Sequence, residues 1–265
     1  MDTKFKSNPY NSNNKLITSR DIINIMKSID INDFKVNNLD HYTLAFIHKS
    51  YLKLSDYEEF NNPDPTRCLE LQDKSYETME FLGDSILGSI VSSYIYNRFH
   101  LIYNENEGFL TKLKIRIVCG ENLALLSKNL KLFNHIILAK HIEENCSGRE
   151  NLNILEDVFE AFIGAIYLDN DYQTTENILI KIIEKFVDFT DILLKDTNYK
   201  DQISRYFQQT YQMYPKYVSI KDKDNIFQSK LLHGDNIIST GSGNSKKKAE
   251  QDASRKALIS FNVIA

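Results

Sequence analysis

Tryptophan is absent from this 265-residue chain, and cysteine (three), proline (four) and glycine (nine) are scarce. So little glycine and proline excludes collagen-like and low-complexity architectures. Cys68, Cys119 and Cys146 are odd in number, widely spaced and without a CxxC pair, which excludes a disulfide framework or a zinc ribbon and leaves buried structural thiols as the expectation. No apolar run approaches the roughly 18 residues that span a bilayer, and Met1–Pro9 lacks the apolar core of a secretory signal. The sequence therefore predicts an intracellular protein, cytoplasmic or nuclear, neither secreted nor bound to a membrane. At 42% hydrophobic and 26% charged, with 15 Tyr and 15 Phe, it has the composition of one large or two ordinary domains.

Charge divides the chain. The net charge is −4, yet from Thr197 onward eleven Lys and Arg face six Asp and Glu, so that part carries +5 and the preceding part −9. A basic module joined to an acidic body suits delivery of a polyanion to that body. Residues 1–19, rich in Asn and Ser, are expected to form a disordered tail. Helical periodicity without strand signals then runs over 20–190, and 191–198 is polar enough for a linker. The 199–265 segment predicts α-β-β-β-α: a helix over Tyr199–Tyr211, strands at Tyr217–Lys221, Phe227–Leu232 and Asn236–Gly241, and a helix over Ser245–Phe261.

Within the acidic body, Tyr76–Ser85 threads carboxylates through an apolar stretch. At about 100° per residue, Glu77, Glu80 and Asp84 fall within roughly 60° of one another on a helix. Met79, Phe81, Leu82, Ile86, Leu87 and Ile90 occupy the rest of the circumference, so the helix reads as buried nearly all round. The pattern returns at Leu155–Leu168, where Asp157 and Glu160 stand at i and i+3 among apolar neighbours. A single helical Glu is ordinarily solvated; acids flanked on both sides by Phe, Leu and Ile are not. Buried carboxylates need positive compensation, and no Lys or Arg lies between Lys74 and Arg98. Oxygen-only donors suit a hard cation, Mg2+ or Mn2+, rather than zinc. Gly83 and Gly164, one in each helix, would let the two backbones approach.

These segments resemble the two acidic signatures of the ribonuclease III family, which read close to N-E-R-L-E-F-L-G-D-S and D-x-F-E-A-x-I-G-A-I-Y-L-D. Leu44–Tyr51 is similar to the family's A-L-T-H-x-S-Y helix, and Glu107–Thr111 to its E-G-x-L-[ST] element. Tyr76 and Thr78 replace the usual Asn and Arg, and Leu52–Ser75 is longer than the family norm, its two prolines marking a surface loop. Gly241–Glu250 resembles the double-stranded RNA-binding signature G-x-G-x-S-K-K-x-A-E at every fixed position. In place of that domain's G-P-x-H loop the chain has Asp222–Asn225, and Ser204 and Arg205 stand where a Gln-Glu pair is usual.

The resemblance implies a mainly α protein: an all-helical ribonuclease III-like catalytic domain over 20–190 and a small α-β-β-β-α RNA-binding domain over 199–265. It implies metal ligation by Glu80, Asp84, Asp157 and Glu160, with Asp84, Glu160, Glu77 and Glu107 as catalytic acids and Mg2+ as cofactor, Mn2+ being able to substitute. It further implies a homodimer through the catalytic domain, with Phe81 as the dimer contact, and contacts from Ser245, Lys246, Lys247, Lys248 and Gln208 to double-stranded RNA. His48 is expected to be structural. The alternative is a non-catalytic binder of double-stranded RNA, a silencing suppressor for example; such descendants usually lose acids from the cluster, and here all are present. An active enzyme that degrades silencing duplexes is a further possibility on which no residue bears.

Overall fold

Short polar side chains start most of the helices. In the computed structural model, which describes residues 7–190, 198–222 and 225–264, Thr18 and Asp21 form a capping box that opens α1 (Ser19–Ser28). Asn38 caps α2 (Leu39–Ala45), Asn106 caps α5 (Glu107–Ile117), Asn151 caps α8 (Leu152–Asp169) and Asp171 caps α9 (Tyr172–Phe186). Each such cap is worth about 1 kcal/mol. Between them lie α3 (Glu77–Ile95), a π-helical turn (Tyr96–His100), a single turn α4 (Leu101–Tyr103), α6 (Gly120–Asn129) and α7 (Lys140–Cys146). The chain divides into two compact units, Met1–Phe189 and Thr190–Ala265.

The first unit is built around α8, which packs against α3, α6 and α2. Leu155, Val158, Phe159, Phe162, Ile163 and Ile166 are fully buried, as the apolar flanks of the second acidic segment require. At the α3–α8 crossing a Cβ on Gly164 would stand 2.6 Å from the Met79 carbonyl oxygen, and one on Gly83 would overlap the Glu160 carbonyl outright. Only glycine permits this contact. At its far end Asp169 accepts hydrogen bonds from the Asn37 and Asn38 amides and, at 3.0 Å, from the Tyr42 hydroxyl, tying the start of α2 to the end of α8.

Four expectations need correction. The α3 helix is not buried all round: Met79, Leu87, Ile90 and Val91 face the core, but Phe81 is 77% exposed and Asp84 and Ser85 lie on the open side. Met1–Lys6 lie outside the described residues, but residues 7–18 are not a disordered tail. Asn11 and Asn14 are buried, and their side-chain amides donate to the Leu138 carbonyl at 3.1 and 3.0 Å, while Asn14 Oδ1 accepts from the Leu138 amide at 3.1 Å. The 52–75 stretch is more than a surface loop, because Tyr57 and Leu71 enter a second hydrophobic cluster with Ile47, Tyr51 and Ile137. Cys68 is buried as expected, whereas Cys119 and Cys146 are exposed. The expected linker falls, apart from Asn198, outside the described residues.

In the second unit Asn198 caps α10 (Tyr199–Tyr211). Strands β1 (Lys216–Lys221), β2 (Phe227–His233) and β3 (Asn236–Gly243) form an antiparallel sheet in sequential order, with Val218 opposite Lys230 and Leu231 opposite Ser239. Helix α11 (Lys246–Ser260) packs on the sheet, with Ile203, Phe207, Leu231, Ala253, Ala257 and Leu258 as the core. Gly241 lets β3 approach α11 closely, since a Cβ there would strike the Ala249 and Ala253 backbone.

Candidate active site and nucleic-acid interface

Glu160 projects from α8, the most buried of the described helices, and is itself only 9% exposed. It lines a cleft of about 610 Å3 together with Glu80 from α3, Glu156 and Asp157 from α8, His48 and Lys49 from the turn after α2, and Ile142 and Cys146 from α7. Among the described residues its carboxylate has no hydrogen-bond partner. Burial, then Asp84, Glu156, Glu80 and Asp157 in that order, push its carboxyl up to about 8. Glu80 and Glu156 are raised in the same way, by burial first and by Asp157 next. Burial also raises Asp157, opposed by the Tyr76 hydroxyl that donates to its Oδ2 at 3.1 Å. Asp84 is more open to solvent than its neighbours on α8, but lies near enough to repel both Glu160 and Glu156.

The acids from the two sequence-distant segments therefore converge on one place. Among the described residues, no three His, Cys, Asp or Glu side chains stand ready to hold an ion. The donor chemistry nonetheless fits a hard divalent cation: every candidate ligand is a carboxylate, and the most buried has no hydrogen-bond partner among the described residues. Glu77 behaves differently from the rest. It pairs with Lys49 at 3.1 Å and accepts from the Ser75 hydroxyl at 3.2 Å, which holds its carboxyl below the usual range. Glu107 is not among the cleft residues; it begins α5 and accepts from the Thr111 hydroxyl at 2.8 Å. His48 is buried, its Nδ1 accepting from the Ser50 amide at 3.2 Å and meeting the Ser50 hydroxyl at 2.8 Å. Burial, then Lys49, lower its pKa to about 4, so it is neutral at physiological pH and orders the turn that carries Lys49.

Lys49 and Glu156, which line the cleft, and Tyr76, which lies behind it and holds Asp157, are residues that sequence reasoning did not assign. For Glu156 a signal existed, because it lies one helical turn before Glu160. Lys49 and Tyr76 had none, since their partners are distant in sequence.

In the second unit Ser245 accepts from the Lys248 amide at 3.2 Å and starts α11, leaving Lys246, Lys247 and Lys248 exposed at a helix N-terminus. Lys246 and Lys247 line an open groove with Asn198, Lys200 and Ser204 of the α10 end. Lys200 is held there by Glu250 at 2.6 Å and lies 4.9 Å from the centre of the Tyr217 ring. Gln208 is exposed farther along α10.

Comparison with known proteins agrees with both units. The family described as "Ribonuclease-III-like" matches residues 40–186, and the "Double-stranded RNA binding motif" matches 199–260. The chain is similar to "Probable ribonuclease 3" of Acanthamoeba polyphaga mimivirus, 38% identical over 275 residues, spanning 99% of this chain but 46% of that protein. "Ribonuclease 3" of Borreliella burgdorferi is 32% identical over 233 residues, 84% of this chain and 85% of that one. Among solved structures, the nuclease domain of ribonuclease III from Campylobacter jejuni, described for flexibility in the region involved in its dimer formation, aligns with a TM-score of 0.50 at 28% identity, covering 63% of this chain and 98% of that one. The chain belongs to the ribonuclease III family, with a ribonuclease III-type endoribonuclease domain followed by a double-stranded RNA-binding domain.

Proposed function

We infer that the chain is a metal-dependent endoribonuclease specific for double-stranded RNA, acting as an intracellular homodimer and leaving 5′-phosphate and 3′-hydroxyl ends. The observation that carries this reading is the buried Glu160 carboxylate, without a hydrogen-bond partner among the described residues, sharing one cleft with Glu80 of a second helix. Glu80, Asp84, Asp157 and Glu160 would hold Mg2+, with Mn2+ able to take its place. When bound, such a cation supplies an activated water and neutralises charge on the leaving oxygen. Tyr76 fixes the orientation of Asp157 through its hydroxyl. Lys49, a cation lining the cleft, anchors Glu77 and offers a partner to a phosphate there.

Residues 199–265 act as the RNA-binding part, with Ser245 placing the first turn of α11 and Lys246, Lys247 and Lys248 facing phosphates across the duplex groove. Gln208 supplies a polar contact from α10. Phe81, too exposed to be core of a single chain, is the contact for a second copy. Incubation with long duplex RNA in Mg2+ or in EDTA tests the reading: cutting in Mg2+ alone is expected, and intact RNA in both tubes would instead favour a sequestering protein. Glu160→Gln should lower cleavage by about 1000-fold, the scale on which removal of a key transition-state interaction acts, while the gel-shift affinity for duplex RNA stays unchanged. Loss of that affinity would indicate a damaged fold.

A further inference from the structure

Glu156 is the cleft carboxylate that the metal set above does not use. It lies one turn before Glu160 on α8, and its side chain is directed to the first residue of α6. A Cβ on Gly120 would stand 2.6 Å from Glu156 Cδ and 2.7 Å from Oε1. A side chain at that position would therefore force the carboxylate to shift. The N-terminus of α6 carries a partial positive charge that suits an anion there. Cys119, the residue before Gly120, makes no side-chain cap to the helix. A second, separate observation points to a ligand in the same cleft: Glu160, nine-tenths buried, has no partner among the described residues.

The geometry points to Glu156 as a fifth carboxylate of the cation site, placed beside Gly120 and contributing to the hold on a divalent cation through its water shell. The inference rests on the reading of the cleft as a cation site. Its chemistry is that of an outer carboxylate: it adds negative charge on the α8 side and accepts hydrogen bonds from water around the ion.

Isothermal titration of the metal-free full chain with Mn2+ alone tests it. Glu156→Gln should weaken Mn2+ binding by about tenfold, the lower end of the usual effect of such outer partners. Gly120→Ala should weaken it comparably by displacing the carboxylate, and the double variant should be no weaker than the stronger single one. Glu121→Gln removes the same charge from the exposed first turn of α6 and should shift affinity less than twofold, about the change expected from screened surface charge. If Glu156→Gln binds Mn2+ as wild type does, or only lowers the melting temperature, the inference is overturned. Equal weakening by Glu121→Gln overturns it too, as a general charge effect. Should Gly120→Ala melt early, Glu156→Gln and the Glu121→Gln comparison decide alone. No Mn2+ binding by wild type would instead overturn the cation site itself.

Discussion

At the residue scale Glu160 determines how this molecule responds to pH. Its carboxyl, ordinarily near 4.5, is pushed up to about 8 in the fold. Below the lower value both folded and unfolded chains hold the proton, and above the higher both release it. Between them the unfolded chain ionises first, so stability of the metal-free protein should fall as pH rises from about 5 to about 8. Melting curves in EDTA across that range should show the decline, and Glu160→Gln should flatten it; equal slopes in both proteins would argue against a buried, protonated Glu160. The acids themselves were legible in the sequence because spacings of three and four residues define a helical face regardless of tertiary contacts. The ion pair of Lys49 with Glu77 and the hydroxyl of Tyr76 on Asp157 were not, since nothing local says which distant side chain arrives. Glu107, matched by motif, shows the opposite limit: a signature residue whose place in a single chain is the start of its own helix.

The elements are held in place by close backbone contacts. Gly83→Ala should destabilise the first unit by about 3 kcal/mol or more, because the added methyl meets a carbonyl rather than a pliable side chain. Chemical denaturation measures this, and a change under 1 kcal/mol, within the range of ordinary tolerated swaps, would mean that the helices separate easily. At the other end of the chain, changing Lys246, Lys247 and Lys248 to Ala should weaken binding of duplex RNA and reduce its log–log salt slope by about 0.9 for each phosphate no longer neutralised. An unchanged slope would remove these lysines from the interface. The order and limits of the C-terminal elements were readable in advance because turn formers and a Ser cap punctuate them. The exposure of one face of α3 was not, because apolar content reports the residue type and not the partner it meets: Phe81 reads as core in any hydropathy count.

For the whole molecule, the difference in charge between an acidic unit and a basic one was visible from counting alone, and it matches a binding part joined to an acid-lined cleft. Phe81→Ala should shift the protein from dimer toward monomer in sedimentation at micromolar concentration and lower cleavage, with the single-chain fold intact by circular dichroism. A dimer unaffected by the change would assign this ring to another role. The Asn-rich beginning of the chain read as disorder because polar composition predicts solvation, whereas here the amides of Asn11 and Asn14 meet the backbone of Leu138. Leu138 directly precedes Ala139, the cap of α7, the helix whose Ile142 and Cys146 wall the cleft. A clone trimmed to start at Arg20, as a polar tail over residues 1–19 would suggest, would strip those amides away, and an inactive product of that trimming would report a slackened wall rather than a missing catalytic group.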